Sequence, residues 1–448
     1  MRTEVVVMAN QLPVGPYRMV RTADNQTVPW YVIPYDEDGT CTGPRTRDDL
    51  IERARTGGFT DIVLFCHGWN NDWRQATERY DDFFAGFVRM RTERSLPAPA
   101  GFRPLLVGVY WPSKLMLSDA EQGPDIAGGE ADDEAVAEER EAVGELARFL
   151  GPDRAERLFD LAQGDSLTSD EALELAGVLA PLYATDRDET AEGAAPAPAE
   201  IAASWRVARR PVPSADPADF GAAVPAGSDP QVAGLLDFLK PKEIVRSASV
   251  WLMKDRAGRV GARGVGPLLA ALVGSGARVH VAGHSFGAKV LLSAIVAPAT
   301  LPGQVHSALL LQPAVSHLCF AADADGKGHP GGYRPALNRV TRPILSTFSA
   351  HDVPLTRMFH FALRRAGDLG DAQIAGDEPP NRYAALGGFG PRPLGPDVEL
   401  VSVLDPTQRY PLDGGVRVLG VNGSRTIGGH GDVSNASTWW MLYNLITG

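Results

Sequence analysis

The segment Gly283-His284-Ser285-Phe286-Gly287 constrains this chain more than any other. It follows the apolar run Arg278-Val279-His280-Val281-Ala282 and leads into Ala288-Lys289-Val290-Leu291-Leu292. An apolar run before it and helix formers after it predict a strand, a sharp turn with the serine at its tip, and then a helix. Glycines flank the serine because so tight a turn leaves no room for larger side chains. The turn lifts the Ser285 hydroxyl out of the packed layers and aims the N–H groups of the new helix at whatever the hydroxyl attacks. The plain alternative, a small serine tolerated in a tight turn, does not account for the polar residues found elsewhere at strand ends.

Strands alternate with helices on both sides of this turn. Residues 4–8, 28–34, 61–66 and 105–111 read as strands, with helices over 46–55 and 74–91. From 115 to 240 the chain is acidic and rich in Ala, Pro and Gly, with helical patterns at 132–149 and at 169–183, where Ser169 is the expected cap, and a low-complexity stretch at 185–199. Alternation then resumes. Helical segments at 244–254 and 264–273 are interrupted by glycines between 258 and 266, and strands follow at 308–312 and 343–349. A helix is expected over 354–366, with loops at 320–341 and 367–396. The last strands are 398–404 and 416–421, joined through a turn at 413–415. Apolar runs, in place of period-two alternation, predict an α/β fold with a mostly parallel sheet flanked by helices. The core is expected from residues 1–114 and 241–448, split by a large acidic insertion at 115–240 that is a candidate lid. In such sheets, ligands bind beyond the carboxyl ends of the strands.

Composition narrows the classes of function. The chain of 448 residues carries a formal net charge of -12, which argues against nucleic acid as a partner and against adhesion to membranes through a basic patch. No apolar run is long enough for a membrane span, and the start has no secretory pattern. Three cysteines, Cys41, Cys66 and Cys319, give no disulfide framework. These features point to the cytoplasm. No Cys/His pair has zinc spacing. Asp323-Ala324-Asp325-Gly326 lacks the rest of a calcium loop and reads as a plain turn. No metal or organic cofactor is expected, and the sequence is silent on oligomeric state.

A serine needs a base to take its proton and a third group to fix that base. Position decides among the nine histidines. His430, in Ile427-Gly428-Gly429-His430-Gly431-Asp432-Val433, lies in a glycine-rich loop beyond the final strand, which can carry an imidazole over the sheet. His284 adjoins the serine but the turn points it away from the tip, and His280 reads as packing. His306, His317, His329 and His360 have no compelling context. The carboxylate is assigned to Asp352, just past a buried strand in Ser349-Ala350-His351-Asp352-Val353-Pro354, with a helix N-cap as its plain alternative and Asp432 as the runner-up. Oxyanion donors are expected from the backbone N–H groups of Phe286 and Trp69, the latter in Cys66-His67-Gly68-Trp69-Asn70-Asn71-Asp72. His67 reads as structural. Trp69 and Trp111 are candidate substrate-binding residues.

Together the His67-Gly68-Trp69 loop, the Ser285 turn, Asp352 and His430 resemble the α/β-hydrolase superfamily, in its order of nucleophile, acid and histidine. The chain is most similar to a bacterial branch of uncharacterised hydrolases with Phe65-Cys66-His67-Gly68-Trp69-Asn70-Asn71 and a following Trp111-Pro112-Ser113. The resemblance covers residues 60–114 and 242–435 and leaves out the acidic insertion. It implies a serine hydrolase acting on a small-molecule acyl ester. A thioesterase, an amidase or an acyltransferase would use the same triad, and a non-catalytic binding or scaffold protein could keep the fold.

Overall fold

In the central strands, successive apolar side chains face opposite ways, so each strand needs cover on both sides. The computed structural model describes residues 14–22, 27–114, 143–183, 197–205, 241–359 and 384–448, apart from 98, 100, 145, 164, 165, 200, 203, 204 and 414. Its strands are β1 (Arg18–Arg21), β2 (Thr27–Pro34), β3 (Asp61–Cys66), β4 (Pro104–Tyr110), β5 (Arg278–His284), β6 (Ser307–Leu311), β7 (Ile344–Phe348), β8 (Val398–Ser402) and β9 (Val418–Asn422). They form one sheet in the order β1-β2-β4-β3-β5-β6-β7-β9-β8. Only the β1–β2 pair is antiparallel.

The helices are α1 (Pro44–Thr56), α2 (Trp73–Glu93), α3 (Pro152–Ala162), α4 (Ser169–Leu179), α5 (Pro241–Arg259), α6 (Gly266–Val273), α7 (Phe286–Val296) and α8 (Ala436–Thr447). Ile62, Leu64, Val107, Val281 and Leu310 enter one apolar layer with Leu50 of α1, Met253 of α5, Leu269 of α6 and Leu291 of α7. Val63, Phe65, Leu106, Ala282 and Leu309 enter the other, with Phe83 and Phe87 of α2 and Met441 and Leu445 of α8. The result is an α/β fold of three layers. The C-terminal ends of β3, β5, β6 and β7 run side by side and release His67, Ser285, Gln312 and Ser349 at one edge.

Several sequence expectations change. Residues 4–8 lie outside the described residues. β1 was not expected, since only one of its four side chains is buried. Most of 132–149 and of 185–199 also falls outside the described residues. Helix α3 was missed, and the cap of α4 is Thr168, not Ser169, in a reciprocal box with Glu171. Helix α3 and the turn Ala180–Tyr183 pack against α5. Leu158, Leu175 and Leu179 thereby share a core with Ile244 and Trp251, so this part of the acidic insertion is integral to the packing.

The glycines of 258–266 do not break the helix. α5 runs into α6 through a π-helical segment, Val260–Val265. A side chain at Gly261 would collide with the carbonyl oxygen of Val290 on α7. Gly261 thus serves close contact with α7, and Gly264 in the same way admits the Gly39 backbone and the Tyr35 ring. β8 and β9 are parallel, so the connection through Asp413 and Gly415 is a crossover and not a hairpin turn. Residues Pro354–Met358 form a π-helical turn, and the remainder of the expected helix lies outside the described residues beyond Phe359. Finally, α8 was missed because its buried residues run almost all round the helix, which hides the 3.6-residue period.

Candidate active site

Strand β5 delivers Ser285 at its end, and α7 begins at the next residue. Ser285 has φ 54 and ψ -125. A non-glycine residue rarely adopts this left-handed conformation, and it marks strain held in place by its surroundings. Those surroundings are tight. A β-carbon at Gly283 would stand 2.7 Å from Ala288 Cα, and one at Gly287 would overlap the carbonyl oxygens of Cys66 and His67. The flanking glycines therefore let α7 sit against the end of β3.

The structure brings Ser285, His430 and Asp352 into one line. Ser285 Oγ lies 2.9 Å from His430 Nε2, and His430 Nδ1 lies 2.8 Å from Asp352 Oδ2. A carboxylate only accepts, so the imidazole proton belongs on Nδ1 and Nε2 is left to accept from the serine hydroxyl. The Asp352 side chain is fully buried, while that of His430 retains 21% exposure. The other carboxylate oxygen, Asp352 Oδ1, accepts from the Leu355 N–H at 3.0 Å. The capping role and the contact with His430 coexist on one side chain. Ser349 Oγ donates to the Ile427 carbonyl at 2.8 Å, which ties the loop of the acid to the loop of the imidazole.

Asp432 does a different job. Its Oδ2 accepts from the Gly428 N–H at 3.0 Å and its Oδ1 from Asn435 Nδ2 at 3.1 Å, which closes the glycine loop on itself.

The His67 loop is built from within. His67 Nδ1 donates to the Gly68 carbonyl at 2.8 Å, and His67 Nε2 accepts from the Trp111 N–H at 3.3 Å. Burial pushes this imidazole down to about 3, so it is neutral and structural. Asn71 Nδ2 donates to the carbonyls of Gly68 at 3.1 Å and Trp69 at 2.8 Å. The Gly68–Trp69 peptide is planar and trans, so the Trp69 N–H points away from the side on which that Gly68 carbonyl is held. Gly68 itself abuts Ser285, and the Trp69 ring meets the Phe286 ring edge-on at 6.3 Å between centroids. Phe286, as the first residue of α7, has an N–H with no intrahelical acceptor. Trp111, expected to touch substrate, is fully buried. Its indole N–H donates to the His67 carbonyl at 3.0 Å, and the ring stacks on His67. It props the loop from beneath.

Three contributors were not anticipated. Ser113 Oγ accepts from the Asn71 N–H at 3.1 Å and the Ser113 carbonyl from Asn70 at 2.7 Å, which joins the two motifs quoted above. Gln312 and His284 both reach the backbone of His430. The signal for Gln312 was present in the sequence: it is a polar residue directly after an apolar strand.

The remaining histidines lie apart. His280 bridges Asp61 and Ser307 at the opposite end of β5, with His306 beside it. His329 closes a turn on Asp325, and His360 is outside the described residues. His317 is buried, with no hydrogen-bond partner for either ring nitrogen among the described residues. Among the described residues no group of three or more His, Cys, Asp or Glu side chains is placed to hold a metal, and no helix is long and apolar enough to cross a membrane. Comparison of the chain with protein-family models, curated proteins and solved structures gave no match.

Proposed function

We propose that this chain is a serine hydrolase of the α/β-hydrolase kind, cleaving a carboxyl ester through an acyl-enzyme. The observation that carries the reading is the hydrogen-bonded line from Ser285 through His430 to Asp352, mounted on a strained strand-to-helix turn. Ser285 Oγ attacks the ester carbonyl as His430 Nε2 takes its proton. Asp352 stabilises the resulting imidazolium through Nδ1. The N–H groups of Phe286 and Trp69 receive the developing oxyanion, each donor contributing about 3 kcal/mol to the transition state. His430 then gives its proton to the departing alkoxide. Water, deprotonated by the same imidazole, attacks the acyl-enzyme and releases the carboxylic acid and free Ser285.

The rings of Trp69, Phe286 and Phe359 form a row, with centroids 6.3 Å and 6.4 Å apart. This apolar row beside the nucleophile favours an acyl or aryl substrate over a highly charged one. A panel of p-nitrophenyl esters, acyl-thioesters and anilides, with Ser285→Ala as the blank, ranks the substrate classes. Labelling by a fluorophosphonate probe tests the nucleophile itself. Folded wild-type protein that resists the probe would return the chain to a binding role.

A further inference from the structure

We propose that Gln312 and His284 are positioning residues for His430, holding its backbone carbonyl between two buried donors so that the imidazole stays on the line from Ser285 to Asp352; the inference rests on the hydrolase reading. The loop that carries His430 needs such a hold. Gly428, Gly429 and Gly431 surround it in sequence, and glycine leaves a backbone broadly free.

Gln312 closes β6 and is fully buried. Its Nε2 donates to the Gly429 carbonyl at 2.8 Å and to the His430 carbonyl at 3.0 Å. Both partners are acceptors, so the amide nitrogen must face them. The His284 ring approaches the same carbonyl from β5, with Nε2 2.7 Å from His430 O. That nitrogen must carry the hydrogen. Burial holds the His284 imidazole well below its usual range, so the ring is neutral and Nδ1 is a bare acceptor.

The arrangement carries three costs. Gln312 has a φ of 40, in the left-handed region. Gln312 Oε1 and His284 Nδ1 are both buried without a hydrogen-bond partner among the described residues, and orphaned buried acceptors destabilise a fold. Methionine at 312 or phenylalanine at 284 would remove one orphan each at similar volume. A role confined to packing is better served by those residues. What the polar pair supplies instead is three hydrogen bonds on two successive carbonyls, one of them belonging to the residue that touches both Ser285 and Asp352.

The test uses the full chain with Q312M, H284F and H284Q. Four quantities are read: kcat and KM on p-nitrophenyl acetate, the thermal midpoint, and the low-field proton resonance of His430 Nδ1–H, assigned by its loss in H430Q. Positioning predicts that Q312M lowers kcat by about 10- to 100-fold with KM held within about twofold. The midpoint should stay within about 5 °C, and the Nδ1–H resonance should broaden through exchange with water. H284Q, which keeps a donor, should retain more activity and a sharper resonance than H284F. Folded Q312M and H284F with wild-type kcat and an unchanged resonance would overturn the proposal. Loss of the resonance in both variants of a wild type that hydrolyses no ester would uphold the positioning role while removing the hydrolase reading.

Discussion

Gly68 packs directly on the turn that holds Ser285: a β-carbon at position 68 would stand 2.8 Å from Ser285 Cβ and 2.7 Å from His284 Nδ1. The His67 loop thus packs at Gly68 against the side chains of Ser285 and His284. Gly68→Ala should displace one against the other, and a shift near 1 Å at a reacting centre costs about 100-fold. The rate of fluorophosphonate labelling should fall by that order in a protein that still unfolds cooperatively. An unchanged rate would mean that the loop relaxes freely and that its closeness to Ser285 has no catalytic meaning.

Asp352→Asn separates orientation from packing. An amide keeps an oxygen for the Leu355 N–H, now received at 3.0 Å, so the fold should hold. Its NH2 group turned to His430 would demand the other tautomer, leaving Nε2 protonated and unable to accept from Ser285. The expected fall in kcat is about 10⁴-fold. Asp432→Asn loses one of the two acceptors that hold the Gly428 N–H and the Asn435 amide, both away from the His430 ring, and should cost less than about tenfold. Steady-state kinetics on one ester compare the two, and equal losses would undo the assignment of Asp352.

Buried histidines set the acid side of stability. Burial holds His67 at about 3 and His317 at about 4, against about 6.5 in an unfolded chain. Below pH 6.5 the unfolded chain binds protons that the folded chain refuses, so stability falls as pH drops from about 6.5 toward 4, with a slope approaching 1.4 kcal/mol per pH unit for each group. His317→Leu removes one such group and two ring nitrogens that have no hydrogen-bond partner among the described residues. Urea unfolding should show the variant gaining on wild type by about 1–2 kcal/mol between pH 7.5 and pH 5. A gap that stays constant with pH would show that His317 titrates normally in the fold.

Ser113 is the joint between two loops, accepting from the buried Asn71 N–H at 3.1 Å. Ser113→Ala leaves that donor unpartnered, at a cost of about 1–3 kcal/mol. Because Asn71 also holds the carbonyls of Gly68 and Trp69, the loss should reach the His67 loop. Chemical denaturation should register the destabilisation, and kcat should fall more than KM rises. Full stability in Ser113→Ala would mean that water replaces the hydroxyl and that the joint is dispensable.

Local pattern alone determined the strand, turn and helix around Ser285, the apolar strands 61–66 and 105–111, and the placing of His67, Asp352 and His430 after strands. These features depend on side-chain period and on glycine at a tight turn, which neighbouring residues in the chain decide among themselves. Other features depend on what arrives from elsewhere. Close approach of α7 decided Gly261 and that of Gly39 and Tyr35 decided Gly264, and burial on nearly every side concealed α8. Trp111 went beneath the His67 loop because its indole N–H found a carbonyl there. The pairing of His430 with Asp352, 78 residues apart, and the hold of Gln312 and His284 on the same loop, exist only once parallel strands line up their carboxyl ends. Hydrogen bonds between such distant groups depend on distance in space, on which a one-dimensional pattern has no purchase.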